Sequence, residues 1–368
     1  MTSNDISEST QRLREKIRVF QAAERNSRRE DDTDSMRLGL GEISQLIEEL
    51  ENLTEKDVTG LASRIKRKKH ASYDDMFRLS HAFLQSVENI ATFVKIPGAL
   101  NVIVKELTGS DAKSQVIACE TLCNLSLGDS VPCEKIATAA GSYLITHLDS
   151  SELRLKRTSL WVLTNILATD GKGISTLLSQ EIASKLVHLY LECKYPELED
   201  DILLAIDILL EKDANVIDAN DQSKLYDSLR TKQPHKGLHL NVLFMILFRA
   251  NSVSLETENF ERTSELVEIA INTLNAAEHL NSQDNILKVL YSIRILGNLF
   301  AKCPDCFVAV EKLCPSLSSL VNKVLSWNNK TINKELLWLV KNTISCQTAL
   351  NRPGNVLKEL QVSRLTIF

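Results

Sequence analysis

The chain has 368 residues, of which 43% are hydrophobic and 25% charged, a composition that is ordinary for a folded globular protein. Its 12 Gly and 7 Pro are few for this length, which disfavours an all-β fold and favours a mostly helical one. The net charge of −5 argues against a nucleic-acid-binding surface over the whole molecule. The length predicts either two domains or one elongated array.

Membrane and secretory signals are missing from the sequence pattern. The longest apolar run is seven residues, 242–248, whereas a bilayer-spanning helix needs roughly 20. The first ten residues have neither a basic start nor an apolar core, so no secretory signal is predicted. The eight Cys are spread along apolar stretches rather than framed as a disulfide scaffold. We therefore expect no membrane span and a location in the cytoplasm and nucleus.

Residues 1–37 are polar and carry eight Lys/Arg and eight Asp/Glu. Leu13, Ile17 and Phe20 form a short apolar stripe among basic side chains, which predicts an exposed amphipathic helix that is ordered by a partner if at all. Residues 42–57 are acidic and have apolar residues at helical spacing. That pattern covers less than two heptads, too short to predict a coiled coil.

The densest basic cluster of the chain lies at residues 64–70, with the sequence RIKRKKH. Such short runs act as nuclear-localisation signals or as phosphate-contacting patches, and a solvated helix end is an equally good interpretation. Its charged residues are Arg64, Lys66, Arg67, Lys68 and Lys69. We assign residues 1–70 to a charged N-terminal region that is mainly helical or disordered.

Beyond residue 71 a repeating pattern of apolar helices begins. Five runs, at 118–129, 160–170, 203–213, 293–302 and 336–345, align on one polar residue inside each run. Those polar residues are separated by 41, 42, 91 and 44 residues, and the long gap holds a further repeat around Met245. A helical repeat of roughly 40–47 residues is typical of armadillo and HEAT solenoids. We predict an all-α, right-handed α-solenoid of about six to seven repeats over residues 71–350, followed by a C-terminal tail, 351–368. The aligned residues are Asn124, Asn165, Asp207, Asn298 and Asn342.

The run at 153–167 also has a second helical stripe, in which Trp161 lies one turn before Asn165. An amphipathic ring next to a carboxamide suits contact with an extended peptide backbone, and it equally suits the cap of a packed helix. Trp338 and Asn342 repeat the same spacing, which favours a shared role.

The sequence contains no convincing catalytic or metal-binding motif. The sequence has no Gly-rich phosphate loop, no G-x-S-x-G and no kinase-type motif, so we predict that the chain is not an enzyme and needs no cofactor. The C-x-x-C at Cys303 and Cys306 lacks a second ligand pair for zinc. Cys119 and Cys123 are expected to be core thiols, and His235 and His239 stand too close to Pro234 and Gly237 for a continuous helical ligand pair.

The runs WVLTN (161–165) and WLVKN (338–342) resemble the Trp-x-x-x-Asn signature of importin-α, within the armadillo superfamily. That resemblance implies a concave groove holding an extended nuclear-localisation peptide. It implies peptide contacts by the Trp/Asn residues, and binding of an importin-β-type receptor by the N-terminal basic residues. The implied peptide-binding residues are Trp161, Asn165, Trp338, Asn342, Asn124 and Asn298, and the implied receptor-binding residues are Arg12, Arg14, Lys16, Arg18, Arg28 and Arg29.

Charge near the aligned positions departs from that family pattern. Arg154, Lys156 and Arg157 lie beside Trp161 and are expected to repel a basic cargo. Acidic residues also fall near the groove stripe, so a groove of mixed charge is expected. The Trp position itself holds other residues in three of the helices. The acidic residues are Glu120, Asp200, Asp207 and Glu335, and the residues at the Trp position are Glu120, Leu203 and Arg294.

Two functional hypotheses follow. The first is an importin-α-like adaptor that binds a peptide cargo in its groove for nuclear import. The second is an armadillo scaffold for protein–protein interaction without a transport role. RNA binding through residues 66–69 is a weaker third, because the aromatic residues needed for base stacking are absent from the cluster.

Overall fold

The computed structural model describes residues 53–232, 235–248, 260–302, 306–313 and 317–350. These residues form seventeen helices and contain no strand. The chain divides into two compact units, residues 1–208 and 209–368, and the boundary falls within one helix. The expectation of an all-α solenoid is confirmed.

The first unit contains nine complete helices and most of a tenth. Between them lie short polar turns, as the sequence predicted for stacked helical repeats. The helices are α1 (Glu55–Lys68), α2 (Tyr73–Gln85), α3 (Val87–Val94), α4 (Ala99–Leu107), α5 (Ala112–Leu125), α6 (Ser130–His147), α7 (Leu153–Leu167), α8 (Lys172–Leu178), α9 (Ile182–Leu191) and α10 (Pro196–Lys212).

The second unit begins in the last turn of α10 and has seven further helices. The repeat that was expected in the long gap around Met245 is present as a helix. The helices are α11 (Ala219–Thr231), α12 (Gly237–Phe248), α13 (Phe260–Ala276), α14 (Gln283–Lys302), α15 (Cys306–Leu313), α16 (Leu317–Ser326) and α17 (Lys330–Ala349).

One helix in each repeat carries the polar residue on which the sequence repeats align, or the equivalent position; we call these the third helices. Successive third helices pack on each other within each unit, α2 on α5 and α5 on α7 in the first, α12 on α14 and α14 on α17 in the second. Their number agrees with the six to seven repeats predicted from the spacing. The third helices are α2, α5, α7, α10, α12, α14 and α17.

Local sequence explains where these helices begin. Ser72 accepts a hydrogen bond from the Asp75 backbone N–H at 3.2 Å in a capping box at the start of α2. At the start of α5, the Asp111 side chain accepts a hydrogen bond from the Ser114 backbone N–H at 2.8 Å. Gly98 has φ +86°, a conformation that favours glycine, and it lets the chain turn from α3 into α4. The helix expected after Pro97-Gly98 therefore begins at Ala99.

Burial follows the predicted stripes. Leu160, Leu163 and Leu167 on α7 are fully buried, and each such side chain contributes about 1.5–3 kcal/mol of transfer free energy. Leu153, at the start of the same stripe, is half-buried because it lies in the first turn. The apolar run of α12 is buried around most of its circumference, so it is a core helix.

The solenoid begins earlier than residue 71, the expected boundary. Helix α1 packs on α3 and α4, and its Val58, Ala62 and Ile65 are fully buried. Asn89 on α3 donates a hydrogen bond to the Leu53 carbonyl at 3.0 Å. The segment from residue 53 is therefore part of the first packed unit, while residues 1–52 and 351–368 lie outside the described residues.

Within the described ranges, no single helix has both the length and the apolar character needed to cross a membrane. Helices α3 and α4, which meet at 96°, satisfy that criterion only as a pair, by length and composition.

Candidate functional site

The aligned asparagines of the first unit hold neighbouring third helices together. Asn124 on α5 donates its amide to the Ser80 carbonyl at 3.0 Å and to the Ser80 hydroxyl at 2.7 Å. Asn165 on α7 donates to the Ser126 hydroxyl at 2.8 Å. Both side chains are buried, 1% and 4% exposed. A buried amide that is hydrogen-bonded to a neighbouring helix stabilises the packing of the two helices. We call the contact between two successive third helices a seam.

Trp161 lies one turn before Asn165 on α7 and is buried as well, with 5% of its surface exposed. Its indole N–H donates to Asp201 Oδ2 on α10 at 3.0 Å, and the Arg157 Nε donates to the same oxygen at 2.6 Å. The Arg157 guanidinium also lies over the indole ring, 5.0 Å from its centroid. The three side chains therefore form one buried cluster that joins α7 to α10.

Two of the three basic residues that were expected to repel a cargo near Trp161 are neutralised, and the third, Lys156, lies over the Tyr195 ring. Arg157 is paired with Asp201, and Arg154 is paired with Glu120 on α5 at 2.6 Å. Because each arginine has a carboxylate partner on an adjacent third helix, neither presents an uncompensated charge. The mixed charge predicted from sequence is present, but as ion pairs between helices. Asp207, at the aligned position of α10, is buried too.

In the second unit, Trp338 and Asn342 are only half-buried. The ring of Trp338 lies against Gly297 of α14, so close that a Cβ added there would be 2.2 Å from the indole Cζ3 atom. Asn342 donates its amide to the Gly297 carbonyl at 2.8 Å. Asn298, the next residue of α14, is also half-exposed. This is the one place in the described chain where both residues of a Trp/Asn pair remain partly accessible.

An ion pair stands one turn before that contact. Arg294, at the Trp position of α14, donates to Glu335 of α17 at 2.7 Å. Its side chain is 30% exposed and that of Glu335 is 21% exposed. The α14–α17 seam therefore presents, in order along both helices, an ion pair, a tryptophan packed on glycine, and an amide bonded to a carbonyl.

Helix α2, the first of the third helices along the chain, has an aromatic pair that the sequence analysis missed. Asn342 donates its amide to the carbonyl of the residue that precedes the aligned Asn298, and Asn124 donates to the Ser80 carbonyl in the same way. His81, which follows Ser80, therefore occupies the aligned position of α2, and Phe77, one turn earlier, occupies the Trp position. Phe77 packs edge-on against His81, with ring centroids 4.7 Å apart. The 43-residue spacing from His81 to Asn124 was the available signal. It was missed because neither residue matches the Trp/Asn signature.

The basic cluster is helical rather than extended. Arg64 pairs with the buried Asp75 of α2, and Lys66, Arg67 and Lys68 are exposed on the last turn of α1. Burial acts to raise the pKa of Asp75, but hydrogen bonds from Ser72 and Arg64 outweigh it and lower that pKa. Because Ile65 is fully buried within the cluster, the segment cannot be read as an extended signal while α1 is packed.

Some of the residues to which the sequence analysis assigned a role lie outside the residues that the structure describes. The expected receptor-binding residues all precede residue 53, and Cys303 is likewise outside the described residues. Cys119 and Cys123 are buried, and burial raises the pKa of the Cys119 thiol, as is usual for core thiols. No group of three or more potential metal ligands occurs in the part of the chain that the structure describes.

Two clefts elsewhere on the two units are not lined by Trp161, Asn165, Trp338 or Asn342. One, of 340 Å³, lies between the α3–α4 turn and α6. Another, of 580 Å³, lies between α11, α13 and the start of α14. Neither cleft is lined by a residue of the two Trp/Asn pairs, so both clefts are separate from those pairs.

His235, which lines the second cleft, gives a prediction for pH dependence. Burial, with a smaller effect of His239, lowers the pKa of His235 from 6.5 to about 4. Between those values the unfolded chain binds a proton that the folded chain does not, so stability falls as pH decreases through this window. We expect a loss of roughly 1–2 kcal/mol between pH 7 and pH 5, measured by urea unfolding. His235→Gln should flatten this dependence, and an unchanged slope in that variant would contradict the assignment.

Comparisons with known proteins identify the fold. No family model matches the chain, and a search of curated proteins finds no match. Among solved structures, an engineered protein from a structural genomics programme is 17% identical with a TM-score of 0.59, over 84% of this chain and 71% of its own. A structure described as a phosphorylation switch in the interaction between cadherin and beta-catenin is 16% identical with a TM-score of 0.57, over 79% of this chain and 54% of its own.

A designed armadillo repeat protein is also similar, 16% identical with a TM-score of 0.41 over 76% of this chain and 98% of its own, a similarity too weak to carry an argument. At identities this low, the comparisons establish the fold alone. The chain has the armadillo-type α-solenoid fold.

Proposed function

We propose that the chain is a non-enzymatic armadillo-type adaptor that binds an extended segment of a partner protein on the third helices α14 and α17 of its second unit. The observation that carries this proposal is the half-exposed Trp338–Asn342 pair on α17, with Asn298 beside it on α14. A partly accessible indole supplies apolar contact area, and carboxamides supply both donors and acceptors for a peptide backbone. Trp161 and Asn165 contribute chiefly by fixing the α7 seam, since both are buried.

A more specific form of the proposal is an importin-α-like adaptor in nuclear protein import. Its supports are the two Trp-x-x-x-Asn pairs and the wider resemblance to importin-α-like proteins such as transmembrane and coiled-coil domain-containing protein 6. In this form the N-terminal basic residues engage an importin-β-type receptor, and the protein moves between cytoplasm and nucleus. The receptor residues proposed are Arg12, Arg14, Lys16, Arg18, Arg28 and Arg29.

Site-specific photo-crosslinking tests the binding face. A photoreactive phenylalanine analogue at position 338 should form adducts with a bound partner segment when the protein is irradiated in a cytosolic extract. The same analogue at Trp327 is the matched control, because that indole lies outside the seam and donates its N–H to the Glu278 carbonyl at 3.0 Å. Equal adduct formation at both positions would remove the third-helix face from consideration. Mass spectrometry of the adduct identifies the segment.

A non-transport scaffold is the second candidate, and the ion-paired arginines favour it because they leave few acidic groups to receive a basic signal. Deletion of residues 1–37 separates the two. The import adaptor should lose its importin-β-type receptor in pull-downs, whereas the scaffold should recover the same partners as the intact chain. A third outcome, salt-sensitive RNA association lost when Lys66 to Lys69 are neutralised, would favour the RNA hypothesis.

A further inference from the structure

Two arginines on third helices are held in the same way. Arg157 on α7 lies 5.0 Å from the centroid of the Trp161 ring and donates to Asp201 of the following third helix at 2.6 Å. Arg294 on α14 lies 5.3 Å from the Tyr291 ring centroid and donates to Glu335 of the following third helix at 2.7 Å. In both cases the ring comes from the arginine's own helix and the carboxylate from the next one.

This arrangement is also the one by which a protein surface binds the cationic side chain of a ligand. An aromatic face attracts a guanidinium or ammonium group, and a carboxylate adds a charge-assisted hydrogen bond. Arg is favoured over Lys at such sites because its planar group can stack and donate hydrogen bonds at the same time. At both places the cation is supplied by the chain itself.

We propose that Arg157 in the first unit and Arg294 in the second unit act as resident ligands, each filling a cation site on the third helices of its own unit and excluding lysine and arginine side chains of a partner. A partner segment bound on the third helices of the second unit then presents a neutral or acidic side chain beside Arg294. This inference rests on the proposed function, since it specifies which segment the same face accepts.

The two sites differ in how firmly they are closed. Arg157 and Asp201 are 10% and 6% exposed, so removal of the arginine would leave a buried charge and disturb the fold. Arg294 and Glu335 are 30% and 21% exposed and share the α14–α17 seam with Trp338. Substitution of Arg294 therefore opens a cation site without leaving a fully buried, unpaired charge.

Arg294→Ala provides a gain-of-binding experiment on the full chain. The probes are fluorescein-labelled octapeptides, one of alternating Lys and Arg and one of alternating Glu and Ser, measured by fluorescence anisotropy. The variant should bind the basic peptide about three- to tenfold more tightly than the wild type does, a range that allows for partial exposure of the site. The added affinity should disappear in Arg294→Ala/Glu335→Gln, because the carboxylate that receives the cation is then missing.

A control separates this effect from a change in net charge. Lys341 is exposed on α17, and Lys341→Ala removes the same charge from the same unit without opening a site. Arg294→Met keeps most of the aliphatic length, and it provides a folded comparison if the alanine variant unfolds, as judged by circular dichroism.

Three results would overturn the inference: no gain in either Arg294 variant, an equal gain in Lys341→Ala, or a gain that survives the Glu335 substitution. These results are distinct from failure of the proposed function, which is decided by whether position 338 crosslinks to a partner. A chain that gains basic-peptide affinity but forms no crosslink would support resident ligands on a face that binds no segment.

Discussion

Replacing Asp201 with alanine is expected to lower the free energy of unfolding by about 3–5 kcal/mol. The substitution leaves the Arg157 guanidinium buried without its carboxylate, and it removes the acceptor of the Trp161 indole N–H. Both losses occur at a contact between α7 and α10 where all three residues are buried. Urea unfolding monitored by circular dichroism at 222 nm gives the difference directly.

Two further variants test the reason for that loss. Asp149→Ala breaks an exposed pair with Lys185, in which Asp149 is 67% exposed, and should cost less than about 1 kcal/mol. Arg157→Met/Asp201→Leu removes both charges of the buried pair and should recover much of the stability lost in Asp201→Ala, because no uncompensated charge remains. If Asp201→Ala lowers the free energy of unfolding by no more than Asp149→Ala does, the buried cluster does not stabilise the contact between α7 and α10.

Gly297→Ala is expected to destabilise the second unit by roughly 1–3 kcal/mol, although alanine is normally the better helix former. The new Cβ would lie 2.2 Å from the Trp338 Cζ3 atom, so the rigid indole has to move away from α14. Asn342 donates to the Gly297 carbonyl, so its hydrogen bond is strained in the same displacement. Urea unfolding measures the loss, and tryptophan fluorescence reports the changed environment of the indole.

Gly60→Ala is the matched control for that prediction. Gly60 lies within α1, and a Cβ there meets no atom within 4 Å. The substitution should stabilise the chain by about 0.5–1 kcal/mol through helix propensity alone. Opposite signs for the two glycines would show that contact with Trp338 is decisive, whereas stabilisation by Gly297→Ala would contradict the described packing.

Gly297 also connects stability to the proposed binding face. Because Trp338 packs against a residue without a side chain, its displacement in Gly297→Ala should reduce crosslinking from α17 to a partner segment. Gly60→Ala should leave that crosslinking unchanged, since α1 belongs to the other unit.

Much of the fold was determined by sequence pattern alone. Helical periodicity and the 41–44-residue spacing of Asn124, Asn165, Asp207 and of Asn298 to Asn342 predicted the helical repeat and the number of repeats. This was possible because the apolar face of each helix must be covered by its neighbours, so the spacing of apolar residues in one dimension specifies the stacking.

The surroundings of those residues were decided by tertiary structure. Trp161 and Trp338 have the same local signature, yet the first is buried against Asp201 and the second is half-exposed on Gly297. Arg154 and Arg157, which were expected to repel a cargo, are instead paired with Glu120 and Asp201, and Arg294 is paired with Glu335. Each partner lies 34–44 residues away in the chain, on a different helix. Periodicity specifies which face of a helix is covered, whereas the charge and access of a face depend on which side chain the adjacent helix places there.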